Sequence, residues 1–115
     1  MRMCFIALAA PLIAALPAMA QDRAASSYIS QGSYGQAESQ LTSELRIHPD
    51  RPELLLNLAA VYARTGRVAE ARTLYTRVLS QNEVLMDLSA QRTASSHAVA
   101  RRGMGRLDAV QFSAR

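Results

Sequence analysis

This chain of 115 residues contains few of the residues that interrupt or cross-link a fold: five Gly, four Pro, one Cys and no Trp. So few Gly and Pro provide too few turns for a many-stranded sandwich or barrel. The hydrophobic content of 50% is too high for a disordered chain. The hydrophobic residues are also too dispersed for a protein with several membrane spans. A Gly-poor sequence rich in Ala favours helices, and the length predicts one small helical domain.

The first twenty residues have the layout of a secretory signal peptide. A short basic start, Met1-Arg2, precedes an apolar run from Met3 to Leu16. Ala18 and Ala20 then occupy the small-residue positions of a cleavage site. The apolar run is shorter than the roughly 18 to 20 residues that cross a membrane. We therefore expect cleavage after Ala20, export to a bacterial periplasm, and no membrane span in the mature protein.

Cleavage after Ala20 would leave little chemistry for a catalytic or metal site. Cys4 belongs to the predicted signal, so the mature chain has no thiol for a disulfide or a metal ion. No Ser lies in a G-x-S-x-G motif, and the Gly-containing segments lack the Lys of a phosphate-binding loop. His48 and His97 have no further ligands in a metal-binding motif. We expect no enzymatic activity, no cofactor and no metal.

The predicted mature chain carries 12 Arg and 9 acidic residues, a net charge of +3. A charge this small predicts solvation and no nucleic-acid partner. Arg101, Arg102 and Arg106 nevertheless form a basic group near the end of the chain. They are consistent with a solvated helix end whose charge complements the helix dipole. They are also consistent with an anionic partner or a lipid head group.

The sequence repeats itself at an offset of 34 residues. Charged residues do not match at this offset, as expected where two units share only a buried face. A period of this length indicates helical hairpins. The matching pairs are Ala25 and Ala59, Tyr28 and Tyr62, Gly32 and Gly66, Ala37 and Ala71, Leu41 and Tyr75, and Leu45 and Leu79.

Each unit predicts two helices joined by a Gly turn. In the second unit, Pro52 suits the first turn of a helix and Gly66 suits the residue after its end. Asp50 and Glu53 have the spacing of a capping box. The partner helix is expected over Val68–Gln81. The inward residues predicted for this unit are Leu54, Leu55, Leu58, Val61, Tyr62, Ala71, Leu74, Tyr75, Val78 and Leu79. The first unit predicts helices over Asp22–Gln31 and Tyr34–Arg46.

The residues at these positions resemble the tetratricopeptide repeat family. In the second unit they are Asn57, Leu58, Ala59, Tyr62, Gly66, Glu70, Ala71, Tyr75 and Leu79. The resemblance implies an all-α fold of two hairpins, a short α-solenoid, followed by a C-terminal capping helix. The expected divisions are a signal peptide (1–20), two repeats (21–51 and 52–85), a connector with the capping helix (86–110), and a tail (111–115).

The C-terminal region does not continue the repeat. Residues 84–94 are expected to form a loose connector, and Ser95 or Ser96 is expected to cap the following helix. That helix is predicted to extend to about Val110. Its inward side should carry Val99, Gly103, Leu107 and Val110.

The resemblance implies a function in protein binding. First helices of such repeats line a concave groove that binds a peptide or a helix. On this chain the groove would contain Ser26, Ile29, Ser30, Glu53, Leu56, Asn57, Ala60, Ala63 and Arg64. Alternatively, Leu56 and Ala60 pack under the C-terminal helix. A second possible role is a structural subunit that forms homo-oligomers by end-to-end stacking.

Some family members hold a terminal carboxylate with Lys, Asn, Asn, Lys and Arg at five groove positions. Only one of the corresponding residues in this chain, Asn57, matches that set. We therefore expect no carboxylate clamp. The five corresponding residues are Asp22, Ser26, Asn57, Asp87 and Gln91.

Overall fold

The structure is a computed structural model that describes residues 25, 27–88 and 92–113. The predicted signal peptide, Ser26 of the predicted groove and Gln91 lie outside the described residues. The described chain is mostly helical. Its elements are α1 (residues 25 and 27–30), α2 (Tyr34–Ile47), α3 (Pro52–Arg64), α4 (Val68–Ser80), β1 (Leu85–Leu88), β2 (Arg92–Ser95) and α5 (Ser96–Ser113). The predicted all-α class, with two hairpins and a C-terminal helix, is confirmed, and the strands are a minor part.

Both hairpin turns contain a glycine in the left-handed conformation, with φ of 76° at Gly32 and 79° at Gly66. Side chains rarely adopt this conformation, which explains why Gly recurs at these two positions. Pro52 lies in the first turn of α3 as predicted. The predicted capping box is wrong, because the N-cap residue is Arg51 and no side chain caps this helix. Asp50 instead accepts a hydrogen bond of 2.8 Å from Arg77 Nη2 of α4.

Small residues lie where the paired helices approach each other. Ala25, Ala37, Ala59 and Ala71, which form two of the matched pairs, are all completely buried. The prediction that Tyr62 is buried needs correction, because this ring is only half-buried. It packs against the cores on both sides of α3, and the guanidinium of Arg67 lies 4.3 Å from its centre. A charged side chain thus covers the outer part of the ring.

Helix α3 separates two hydrophobic cores and contributes to both. The first core lies between α1, α2 and α3 and consists of Ala25, Ala37, Leu41, Leu54, Leu58 and Val61. The second core lies between α3, α4, β1 and α5 and consists of Leu55, Leu56, Ala59, Ala71, Tyr75, Val78, Met86, Ala100 and Leu107. Leu74, predicted to point inward, is half-buried and contacts both cores.

The expected loose connector contains a two-stranded antiparallel β-hairpin. Leu85 pairs with Ser95 and Leu88 pairs with Arg92. Met86 is buried in the second core, so the hairpin adds apolar surface to it. Ser96 fixes its base: its backbone N–H donates to Val84 O (2.8 Å), and its buried Oγ accepts from Val84 N–H (3.0 Å).

Helix α5 packs antiparallel to α4. Its start is fixed by Ser95 Oγ, which accepts a hydrogen bond of 3.0 Å from Ala98 N–H, as the cap prediction allowed. Leu107 is buried as predicted, whereas Val110 is 61% exposed and does not join the core. Three contacts define the direction of α5: His97 with Gln81, Gly103 with Tyr75, and Asp108 with Arg72.

Candidate protein-binding surface

One stripe of α3 remains accessible after the two cores have formed. It consists of Glu53, Asn57, Ala60 and Arg64, spaced four, three and four residues apart, so these residues share one helix face. Arg64 is exposed and the other three residues are half-buried. We call these four residues the α3 stripe. All four belong to the groove predicted from the sequence.

The remaining predicted groove residues have different environments. Ile29 of α1 packs partly against the first core, whereas Ser30 is exposed. Leu56 is 5% exposed and lies in the second core together with Ala100 and Leu107 of α5. Ala63 also packs against that core. Leu56 therefore contributes to core packing, and α5 covers this side of α3.

The polar groups of the α3 stripe leave its centre open to a ligand. Arg64 Nη1 donates a hydrogen bond of 3.4 Å to the hydroxyl of Tyr34, and Glu53 lies 3.8 Å from Arg51. The side chain of Asn57 has no hydrogen-bond partner among the described residues. An amide both donates and accepts, so Asn57 can pair with a peptide group of a bound segment.

Charges from two helices meet beside the α3 stripe. Tyr75 of α4 is buried, and burial raises the pKa of its hydroxyl. The positive charges of Arg106 and Arg64 act in the opposite direction and lower this pKa. Charges from α5 and from α3 therefore both act on this one hydroxyl. The sequence prediction assigned Arg64 to the groove and Arg106 to a separate basic group.

Gly103 is the sequence signal that could have predicted the packing of α5 beside the groove. It lies 44 residues after Ala59, which is ten more than the repeat period. The β-hairpin of β1 and β2 lies in the intervening segment. A Cβ atom at Gly103 would lie 2.3 Å from Tyr75 Cζ, so the Tyr75 ring of α4 packs directly against the backbone of α5 here. A comparison at 34 residues alone misses this position.

Two depressions on other surfaces of the described chain are less suited to a ligand. Both are shallow, and each lies along a single helix. Ala69, Arg72, Thr73 and Thr76 line the one on α4, and residues between Gly35 and Arg46 line the one on α2. A depression on one helix cannot enclose a small molecule. Within the described residues, no helix combines the length and apolar character required to cross a bilayer.

The two His residues lie far apart along the chain and have separate contacts. His48 is exposed at the end of α2. His97 Nε2 lies 2.7 Å from Gln81 O, and its Nδ1 lies 3.9 Å from Glu83 Oε2. In the described part of the chain, no three His, Cys, Asp or Glu residues are grouped as metal ligands.

Of the residues compared with the carboxylate clamp, Asn57 lies on α3 and Asp87 lies on β1. A clamp requires its positions on successive first helices. Asp87 lies on a strand because the hairpin occupies the place where a third repeat would begin.

The sequence was compared with protein-family models, with curated proteins and with solved structures. The family model described as tetratricopeptide repeat matches residues 28–85, which is half of the chain. No curated protein and no solved structure matches.

Proposed function

Since the chain belongs to the tetratricopeptide repeat family, we propose that it is a non-catalytic scaffold that binds a peptide or a helix of another protein. Repeats of this family generally mediate protein–protein interactions. The binding surface is the face formed by α1, the α3 stripe and the adjacent edge of α5. The observation that supports this assignment is the α3 stripe itself, which combines the small side chain of Ala60 with the amide of Asn57, an amide without a hydrogen-bond partner among the described residues.

Site-specific cross-linking tests the location of the binding surface. A photoreactive amino acid is placed at Ala60, in the α3 stripe, or at Ala69, an exposed alanine on the outer side of α4. In the cells that make the protein, position 60 should form a covalent adduct with a partner and position 69 should not. Equal adducts at both positions, or adducts at position 69 alone, would contradict the proposed surface.

We further propose that the protein acts in the bacterial periplasm after removal of residues 1–20. Support comes from the basic start, the apolar run and the Ala18-x-Ala20 pattern of the sequence. N-terminal sequencing of the protein from a periplasmic extract should begin at Gln21. A soluble protein that begins at Met1 would contradict export.

The alternative function is a structural subunit that stacks on copies of itself. One observation favours it: Ile47 and Leu85 are 74% and 73% exposed, which is high for large apolar side chains. Light scattering of the purified protein separates the two functions. A scaffold without its partner should be monomeric, whereas a stacking subunit should increase in mass with concentration.

A further inference from the structure

The edge between α3 and α5 carries a cluster of positive charges, and we propose that it binds a segment of a partner protein rich in Asp or Glu. The cluster consists of Arg64, Arg102 and Arg106, and we call it the basic edge. The inference rests on the proposed function, because it specifies the chemistry of the partner that the groove accepts.

The packing of α5 places the basic edge next to the α3 stripe. Helix α5 is antiparallel to α4, which is itself antiparallel to α3, so α5 and α3 are parallel. Leu56 of α3 shares a core with Ala100 and Leu107 of α5, so the two helices are neighbours. Arg102 and Arg106 are four residues apart and therefore lie one turn apart on the same face of α5.

The close approach of Tyr75 and Gly103 determines which part of α5 lies beside α4, and so the position of the basic edge along the helices. A Cβ atom at Gly103 would lie 2.7 Å from the Tyr75 hydroxyl oxygen, so this hydroxyl lies against the backbone of α5. Gly103 lies between Arg102 and Arg106 in the sequence. The Arg64 and Arg106 charges both act on that hydroxyl. Arg106 therefore lies at the level of the Arg64 end of α3, and Arg102 lies one turn before it on α5.

The basic edge differs from other Arg residues of the second repeat in its pairing. The paired ones are Arg67 with Glu38, Arg72 with Asp108, and Arg77 with Asp50. Arg64 instead donates to the neutral hydroxyl of Tyr34. Arg102 and Arg106 are exposed and have no carboxylate partner among the described residues. An acidic partner would neutralise this excess charge and would be attracted to it before contact.

The chemistry of the adjacent surface favours a peptide over a lipid head group. Asn57 and Ala60 lie beside the basic edge. The amide of Asn57 and the small side chain of Ala60 suit a peptide backbone. Carboxylate side chains of the same segment would then reach Arg64 and Arg106. A lipid head group would use the positive charges and leave the Asn57 amide without a role.

Binding to synthetic peptides tests the proposal. The purified protein is titrated against fluorescent 12-residue peptides rich in Asp and Glu, and against copies in which every acid is the matching amide. Acidic peptides should bind about tenfold or more tightly than their amide copies, and this advantage should decrease as salt is raised. Arg106→Glu should weaken binding of the acidic peptides about tenfold.

Arg101→Glu is the matched control, because Arg101 is also exposed and lies on the same helix. It points about 140° away from Arg106 around the helix axis, given the α-helical rotation per residue. The variant has the same change of charge and should alter affinity by no more than about twofold. An equal loss in both variants would indicate long-range charge only and would overturn the basic edge as a site.

Two results separate failure of this inference from failure of the proposed function. If amide copies bind as tightly as acidic peptides and Ala60→Tyr abolishes both, the groove binds peptides but the acidic preference is wrong. If no peptide binds and cross-links from position 60 are absent, the proposed function itself is wrong. If phosphatidylglycerol vesicles bind through Arg106 while acidic peptides do not, the edge is a lipid site and the inference is overturned.

Discussion

At the scale of single residues, the strongest constraints lie where two helices come closest. The sequence identified Ala25, Ala37, Ala59 and Ala71 because small residues at a fixed period indicate close helix packing, and all four are buried. It placed Gly103 on the inward side of its helix but did not predict that the Tyr75 ring of α4 packs directly against this glycine. A glycine that is unfavourable for one helix is required by the neighbour that packs against it, and a local propensity contains no information about that neighbour.

Gly103 and Gly105 make this point testable on one helix. Alanine at Gly105 meets no atom within 4 Å and should stabilise α5 by up to about 1 kcal/mol through helix propensity. Alanine at Gly103 would lie 2.3 Å from Tyr75 Cζ, and overpacking of this kind costs about 1 to 3 kcal/mol. Thermal melts should therefore show a higher Tm for Gly105→Ala and a lower Tm for Gly103→Ala. A higher Tm for both variants would mean that the Tyr75 ring can shift away from position 103 without a cost in stability.

The pair of Glu38 and Arg67 predicts how stability depends on pH. Two hydrogen bonds of 2.9 and 2.5 Å from Arg67 hold the pKa of Glu38 below its ordinary value of 4.5. A carboxyl group whose pKa is lowered on folding stabilises the fold above its ordinary value, and this stabilisation is lost as pH falls through the lowered value. Glu38→Gln should therefore reduce the free energy of unfolding at pH 7.

The difference between wild type and Glu38→Gln should shrink below pH 4.5 and vanish in stronger acid, as measured by urea unfolding across pH. Glu70→Gln is the control, because Glu70 lies 3.9 Å from the same Arg67 and is 56% exposed. It should have a smaller effect at every pH. A Glu38→Gln difference that persists unchanged in acid would exclude the ion pair as its cause.

At the scale of elements, the sequence predicted the helices that repeat and missed the hairpin that does not. The predicted Tyr34–Arg46 and Val68–Gln81 each end within one residue of the observed helices. The four residues of β1 and the four of β2 do not alternate between apolar and polar, so neither has the sequence pattern of a half-buried strand. Met86 holds the hairpin to the second core through contacts with distant parts of the chain, and Ser96 closes its base through Val84, so no local apolar pattern predicts it.

The buried hydroxyl of Ser96 should therefore stabilise the hairpin. Ser96→Ala removes the acceptor of Val84 N–H and should lower the free energy of unfolding by about 1 to 3 kcal/mol. Ser80→Ala is the matched control, because Ser80 is exposed and its hydroxyl donates to Arg77 O within its own helix. Chemical denaturation should show a clear loss for Ser96→Ala and a small effect for Ser80→Ala. Equal effects would mean that the Ser96 contact is replaced by water.

At the scale of the whole molecule, two repeats are fewer than the roughly three that a stable array needs. This chain compensates by closing the second repeat with α5, which supplies Ala100 and Leu107 to the second core. The same packing makes α5 the neighbour of the α3 stripe. The sequence allowed either an open groove or one filled by the C-terminal helix. In the structure α5 buries Leu56 and leaves the stripe of Asn57 and Ala60 partly accessible.

Two variants together test this division between core and binding surface. Deletion of residues 96–115 would uncover Leu56, Tyr75 and Met86, and the truncated chain should show no cooperative thermal unfolding by circular dichroism. Asn57→Ala should retain the wild-type Tm, because its side chain has no hydrogen-bond partner among the described residues. When the Asn57→Ala variant also carries the cross-linker at position 60, its adduct with the partner should decrease, since a lost hydrogen bond weakens binding by about 0.5 to 1.5 kcal/mol.

A truncated chain that unfolds cooperatively at the wild-type Tm would show that α5 is not part of the core. A marked drop in Tm for Asn57→Ala would instead assign its amide to the fold, because removal of a buried partner costs about 1 to 3 kcal/mol.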